Sequence, residues 1–333
     1  MKRIKWVDDV KTIACILVVL GHFFQSMVKS GIINDNYIYQ LFNHEIYLFH
    51  VNLFFICSGY IYQRKYIDSG VIDRRSKVIV SKFYSLIIPM IVFASITWML
   101  KYVAGESVNV GNQSFLQSVL ITPTAPYWFL QTLFIIFVIT PQLKDNIGYA
   151  LIIIASILLR ICSYYISGMP QVIHNVMTYE MWFVLGMLIN KVNMQKLNLK
   201  KIMIMAYIML GVFLLTSIWL FNNNINQYGI ILGFLACTSI IILTMYYESI
   251  NRSNMVTFDM IKKYMFPIYL MHTIFAAPIR ILLIKLGISN VVVQLLCGIA
   301  ISFAGPIIYM KIASLPKMNW MKWLVYPHAK IKE

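Results

Sequence analysis

Ten stretches follow one another down this chain, each near the roughly twenty apolar residues that a bilayer's hydrocarbon core demands of a helix. They fall at 10–28, 47–63, 83–102, 126–141, 148–166, 177–190, 202–221, 228–247, 264–285 and 290–311. In lipid a backbone must satisfy its own polar groups, so segments of this length are read as helices. Over 333 residues, 60% hydrophobic and 12% charged residues with a mean hydropathy of +0.73 exclude both a soluble domain and a disordered chain. The expected fold class is all-α: a polytopic membrane protein of about ten transmembrane helices, one integral membrane domain over 1–333 with no soluble domain. The first stretch follows Lys2, Arg3 and Lys5 in the manner of a signal peptide, but no small-residue cleavage site comes after it and nine more stretches do. It is expected to stay in the mature chain.

The basic residues orient these helices, because cytoplasmic loops carry the excess of Lys and Arg. With the N-terminus inside, 23 of the 28 Lys and Arg fall at cytoplasmic ends, and Lys29, Lys101, Arg160, Arg280 and Lys285 lie on or near outer ends. Both termini are then cytoplasmic. Topology explains most of the net charge of +16, so no nucleic-acid partner is called for.

Lys11 and His22 lie in one apolar run, Lys11-Thr-Ile-Ala-Cys-Ile-Leu-Val-Val-Leu-Gly21-His22. At roughly 100° per residue, the intervening turns bring them to one face, about 16 Å apart along the axis. Lys11 is at the membrane edge and His22 deep inside. A buried ionisable residue in a membrane helix marks a functional site by default, and histidine is the residue suited to moving a proton near neutral pH. A second run, Phe49-His50-Val-Asn-Leu-Phe54-Phe55-Ile-Cys-Ser58-Gly59-Tyr60, places His50 near the outer end of its span and Ser58 toward the cytoplasmic end. Glu180 is the carboxylate placed clearly inside a span, near the outer end of the sixth, with Arg160 the nearest basic residue in sequence. An Arg160–Glu180 ion pair and a carboxylate serving His22 are both open.

Several chemistries are excluded. No Gly-rich phosphate loop, His-x-Glu or Cys-x-x-Cys metal pattern, or Gly-x-Ser-x-Gly elbow occurs, so no metal is expected. Cys15, Cys57, Cys162, Cys237 and Cys297 fall in or beside spans, without the spacing of a disulfide framework. Any chemistry must be built from the helices and their ends.

The run from Asp8 through Lys11 to Gly21-His22, followed by Phe49 to Tyr60, resembles the opening of the acyltransferase-3 family of integral membrane acyltransferases, nearest its fucose 4-O-acetylase-like sugar O-acetylase branch. Tyr127-Trp128-Phe129-Leu130, Phe183-x-x-Gly186 and Ile268-Tyr269-Leu270-Met271-His272 resemble family patterns in the same order, so the likeness covers nearly the whole chain. Two departures stand out. Asn52 occupies a position where proline is usual, and Lys82 keeps only the first basic group of an Arg-x-x-Arg pattern before Pro89, with Arg74, Arg75 and Lys77 nearby to compensate.

The resemblance implies transfer of an acyl group, usually acetyl from cytoplasmic acetyl-CoA, to a carbohydrate hydroxyl of a surface polysaccharide or its lipid-linked precursor. Such a protein belongs in a bacterial plasma membrane, with the bilayer and a carbohydrate acceptor as partners. Acyl transfer to a hydroxyl needs a base, stabilisation of an oxyanion and a grip on the anionic donor. His22 is the expected base or acyl carrier, and desolvation biases it toward neutral imidazole. Lys11 meets the phosphates of CoA, Asp8 orients Lys11 as an i,i+3 pair, and Lys82, Ser58 and His272 are further donor-site candidates. His50 and Arg160 are candidates for positioning the acceptor, with Glu180 beside His22 as the catalytic carboxylate. Trp128 sits where an interfacial tryptophan belongs for membrane reasons alone. A polysaccharide exporter or flippase, and a pH-responsive membrane sensor, are the alternatives.

Overall fold

Lipid offers the backbone no hydrogen-bonding partner, and no strand occurs among the described residues. The computed structural model describes residues 4–105, 114–192, 198–225, 227–250 and 256–327; Lys2, Arg3, Lys196, Arg252, Lys330 and Lys332, counted above for orientation, lie outside the described residues. The helices are α1 (Lys5–Lys29), α2 (Tyr37–Tyr47), α3 (His50–Ser69), α4 (Arg75–Lys82), α5 (Ile88–Ala104), α6 (Trp128–Ile139), α7 (Asn146–Tyr165), α8 (Gln171–Ile189), α9 (Leu199–Asn222), α10 (Gly229–Ser249), α11 (Val256–Lys263), α12 (Met265–Lys285), α13 (Val291–Ile312) and α14 (Asn319–Val325). All five cysteines are free.

Among the described residues, eight helices are long and apolar enough to cross a membrane: α1, the run Arg75–Ala104, α7, α8, Lys200–Asn222, α10, α12 and α13. The other two expected stretches are helical as well. α3 has 20 residues but turns polar at Gln63-Arg64-Lys65. α6 has only 12, about 18 Å at 1.5 Å per residue against a core of about 30 Å. Between α4 and α5, Phe83–Ile87 forms a π-helical segment with i→i+5 bonds inside an otherwise continuous helix.

α7 shows why the medium must be apolar. Its buried positions are Tyr149, Ser156 and Ser163, whereas Ile147, Leu151, Ile154, Leu158 and Ile161 are exposed. That is the reverse of a helix on a water-soluble core.

The chain divides into two compact units, one of Met1–Asp68 with Trp182–Met265, the other of Ser69–Met181 with Phe266–Glu333. In the first unit, α3 and the C-terminal half of α8 meet backbone to backbone. A Cβ on Gly59 would lie 1.9 Å from the Phe183 carbonyl oxygen, and one on Gly186 would lie 1.9 Å from the Ile56 carbonyl oxygen. Gly233 brings α10 against the same region, where a Cβ would lie 2.8 Å from the Leu48 carbonyl oxygen. Asn52 belongs to this contact, because its Nδ2 donates to that carbonyl at 2.9 Å.

Short helix α2 is held to α9 by Ser217, whose hydroxyl donates to Glu45 Oε2 at 2.7 Å. Burial raises the Glu45 carboxyl above its ordinary 4.5, against the opposing pull of the Ser217 bond.

Gly59→Ala or Gly186→Ala should destabilise the fold by about 3 kcal/mol through forced separation of the two backbones, read as a lowered thermal midpoint in detergent. For Glu45 the sign follows from its raised folded value: folded protein holds the proton more tightly, so stability falls as pH rises from 4.5 through that value. Glu45→Gln should flatten this dependence, with a higher midpoint than wild type at pH 7 and a shrinking difference below pH 4.5.

Candidate active site

In the first unit, α1 is anchored at its cytoplasm-assigned end by charge. The Trp6 N–H, one of the first-turn donors that a helix leaves unsatisfied, donates to Glu248 Oε2 at 2.9 Å. Buried Asp9 forms an ion pair with Lys262, which also lies 3.3 Å from Asp259. Burial pulls the Lys262 ammonium downward, but the hydrogen bond and charge of Asp9, followed by those of Asp259, outweigh it and raise the pKa. α3 packs beside this end: the Cys57 thiol donates to the Val7 carbonyl, and the Trp6 and Tyr60 rings meet edge-on with centroids 4.8 Å apart. Lys11 and Asp8 both lie within electrostatic range of Cys57. Asp8 and Lys11 therefore lie near Cys57, the residue before Ser58 on α3.

Further along α1, half-buried His22 follows Gly21, where a Cβ would lie 3.4 Å from the Tyr47 ring. The same ring meets His50 edge-on, with centroids 4.7 Å apart. His50 is buried and its Nδ1 lies 2.7 Å from the Ile46 carbonyl oxygen, to which the ring donates. His50 therefore stands at the level of the Gly21–His22 step, with Tyr47 between.

The second unit holds Glu180, Arg160, Lys82 and His272. α8 starts at Gln171 rather than at 177, so Glu180 is at the helix's middle, not near its outer end. The apolar pattern misses those first six residues because Gln171, His174 and Asn175 lower their hydropathy. Glu180 is buried and accepts a 2.6 Å hydrogen bond from Thr140, while its Oε2 has no hydrogen-bond partner. Arg160 does not pair with it. The guanidinium donates to the Tyr164 hydroxyl at 2.9 Å and lies 4.6 Å over the Tyr164 ring, one turn along α7. Arg75 donates to the Thr140 carbonyl at 2.7 Å and to the Val138 carbonyl, covering the C-terminal end of α6. Lys82 lies 4.0 Å over the Phe137 ring of the same helix. His272 is buried, and its Nδ1 donates to the Ile268 and Tyr269 carbonyls at 3.0 and 2.9 Å.

Two tyrosines lock the approach to α6 onto α12. The Tyr127 hydroxyl donates to the Leu270 carbonyl at 2.9 Å and lies 2.8 Å from the Thr97 hydroxyl, and the Tyr269 hydroxyl donates to the Pro126 carbonyl.

A family model described as an acyltransferase domain matches residues 4–311. The chain belongs to the acyltransferase-3 family. It is a membrane acyltransferase, helical throughout its described secondary structure. The acyltransferase is similar to the nodulation protein NolL of Mesorhizobium japonicum, 29% identical over 137 residues, covering 40% of this chain and 34% of the relative. It is also similar to the nodulation protein NolL of Sinorhizobium fredii, 32% identical over 138 residues, again 40% of this chain and 34% of the relative. The matches therefore span about a third of these relatives' length. No solved structure matches.

Sequence reasoning singled out Asp8 and passed over Asp9, although Asp9 makes the buried ion pair; two adjacent aspartates differ only in the face each presents. It also passed over Thr140, the hydroxyl that holds Glu180. In the acyltransferase Tyr127→Phe should destabilise the fold by about 1–3 kcal/mol, since it removes the hydroxyl from Thr97 and the Leu270 carbonyl in a buried setting, measured by thermal unfolding in detergent.

Proposed function

We propose that this acyltransferase moves an acetyl group from cytoplasmic acetyl-CoA to a hydroxyl of a cell-surface polysaccharide or its lipid-linked precursor, with His22 as the proton acceptor. The supporting observation is the position of His22: half-buried within a 25-residue helix apolar enough to cross a membrane, with Lys11 toward that helix's start. The residues near that start fit an anionic thioester donor. Lys11 supplies a cation and Ser58 a hydroxyl for the phosphates of CoA, and Asp8 orients Lys11.

The acceptor hydroxyl gives its proton to the His22 imidazole as its oxygen attacks the thioester carbonyl. The C–S bond breaks, the new ester forms, and the proton on His22 passes to the departing CoA thiolate. If His22 itself carries the acetyl group, attack by its ring nitrogen precedes attack by the sugar. His50 positions the acceptor in this reading.

Labelled acetyl-CoA and the cells' own glycan, supplied to purified membranes, test the reading. His22→Ala should cut label transfer to the glycan by about a hundredfold or more, the usual contribution of a positioned base. Label transfer undiminished by His22→Ala would overturn it. No turnover in wild type, together with failed glycan export when the chain is deleted, would point instead to a transporter.

A further inference from the structure

A cleft of about 380 Å³ opens in the second unit, between the loop before α6, the start of α6 and the first half of α8. It falls within the roughly 300–1,000 Å³ of small-molecule sites. Trp128 and Gln131 line it from α6, and Gln171, Asn175, Thr178 and Tyr179 from α8. Gln171, Asn175 and Thr178 follow the i, i+4, i+7 spacing of a single helix face. A polar face of this kind is costly against lipid, and here it borders a cavity instead.

The lining groups fit one ligand chemistry. Gln171 Nε2 donates to Asn175 Oδ1 at 2.9 Å, and Gln131 Nε2 donates to the Leu120 carbonyl at 2.6 Å. These bonds hold the amides in place while the Gln171 and Gln131 carbonyl oxygens and the Asn175 amino group remain for a ligand. The Thr178 hydroxyl oxygen is buried without any hydrogen-bond partner, a costly state that a ligand hydroxyl would relieve. The Trp128 and Tyr179 rings, 5.5 Å apart and tilted by 35°, form an aromatic corner against which the C–H face of a sugar ring packs. Among the described residues His174 is the one imidazole lining the cleft and no Asp, Glu, Lys or Arg does, so no carboxylate, ammonium or guanidinium is there to pair with a charged ligand. We infer that this cleft binds a neutral sugar ring of the acceptor, gripped by the amides of Gln131, Gln171 and Asn175 and the hydroxyl of Thr178 and stacked on Trp128 and Tyr179. The inference rests on the acyl-transfer reading for the word acceptor. With both termini cytoplasmic, the cleft lies at the outer end of its helices.

The test is equilibrium binding without any acetyl donor, by titration calorimetry on the purified full chain in detergent. The probe is a set of short neutral oligosaccharides released from the de-O-acetylated surface glycan of the producing cells. Thr178→Val and Asn175→Leu should each raise the dissociation constant roughly three- to tenfold, as expected for one lost hydrogen bond, and together about thirtyfold. Unchanged thermal midpoints establish that both variants fold, and Trp219→Phe, on an exposed part of α9 in the other unit, should bind as wild type does. Equal affinity in wild type and the double variant, or no binding by wild type, would overturn the inference. Because no donor is present, binding through the cleft without label transfer would refute acyl transfer alone, and label transfer with affinity indifferent to these variants would refute the cleft alone.

Discussion

Where the backbones of α3 and α8 touch at Gly59 and Gly186, no side chain separates the helices, and the first unit is built around that contact. In lipid, apolar side chains gain little from leaving their surroundings, so helices associate through close packing and shared polar groups. Two facing glycines supply the closest packing available. They also fix the height at which Cys57 and Tyr60 of α3 meet Val7 and Trp6 of α1.

The second unit relies on hydrogen bonds for the same purpose. Tyr127 and Tyr269 exchange bonds across the segments that carry Trp128 and His272, and Arg75 covers the carbonyls exposed where short α6 stops. Each is a polar group satisfied by another polar group in a medium that supplies no water. A helix of only 12 residues needs such a cover within the membrane's thickness.

Much of this was legible from the chain alone, for physical reasons that can be traced residue by residue. Apolar runs near twenty residues are a strong signal, and every expected span corresponds to a helix. The paired motifs were visible as motifs, but not as partners: Gly59 and Gly186, or Tyr127 and Tyr269, lie more than a hundred residues apart and meet only in the fold. The polar first turns of α8 read as a loop, which displaced Glu180 in depth and hid the face that lines the cleft. Arg160 found Tyr164 on its own helix rather than the distant carboxylate, a local partner that sequence proximity to Glu180 did not suggest. Ligand contacts leave no trace in periodicity, so Lys82 and His272 stood out through the family patterns they belong to rather than through helix spacing.

The π-helical turn at Phe83–Ile87 bears on how spacing in this region is counted. Such a turn takes in about one more residue than an α-helical turn, so it rotates everything upstream relative to everything downstream. A wheel drawn with a uniform 3.6-residue repeat therefore puts Lys77 and Lys82 on the wrong side of the helix relative to Pro89 and Phe93. Removing one residue from the π turn would return it to an α-helical turn with the basic end facing as it does now, so the same surface would be presented by a span one residue shorter.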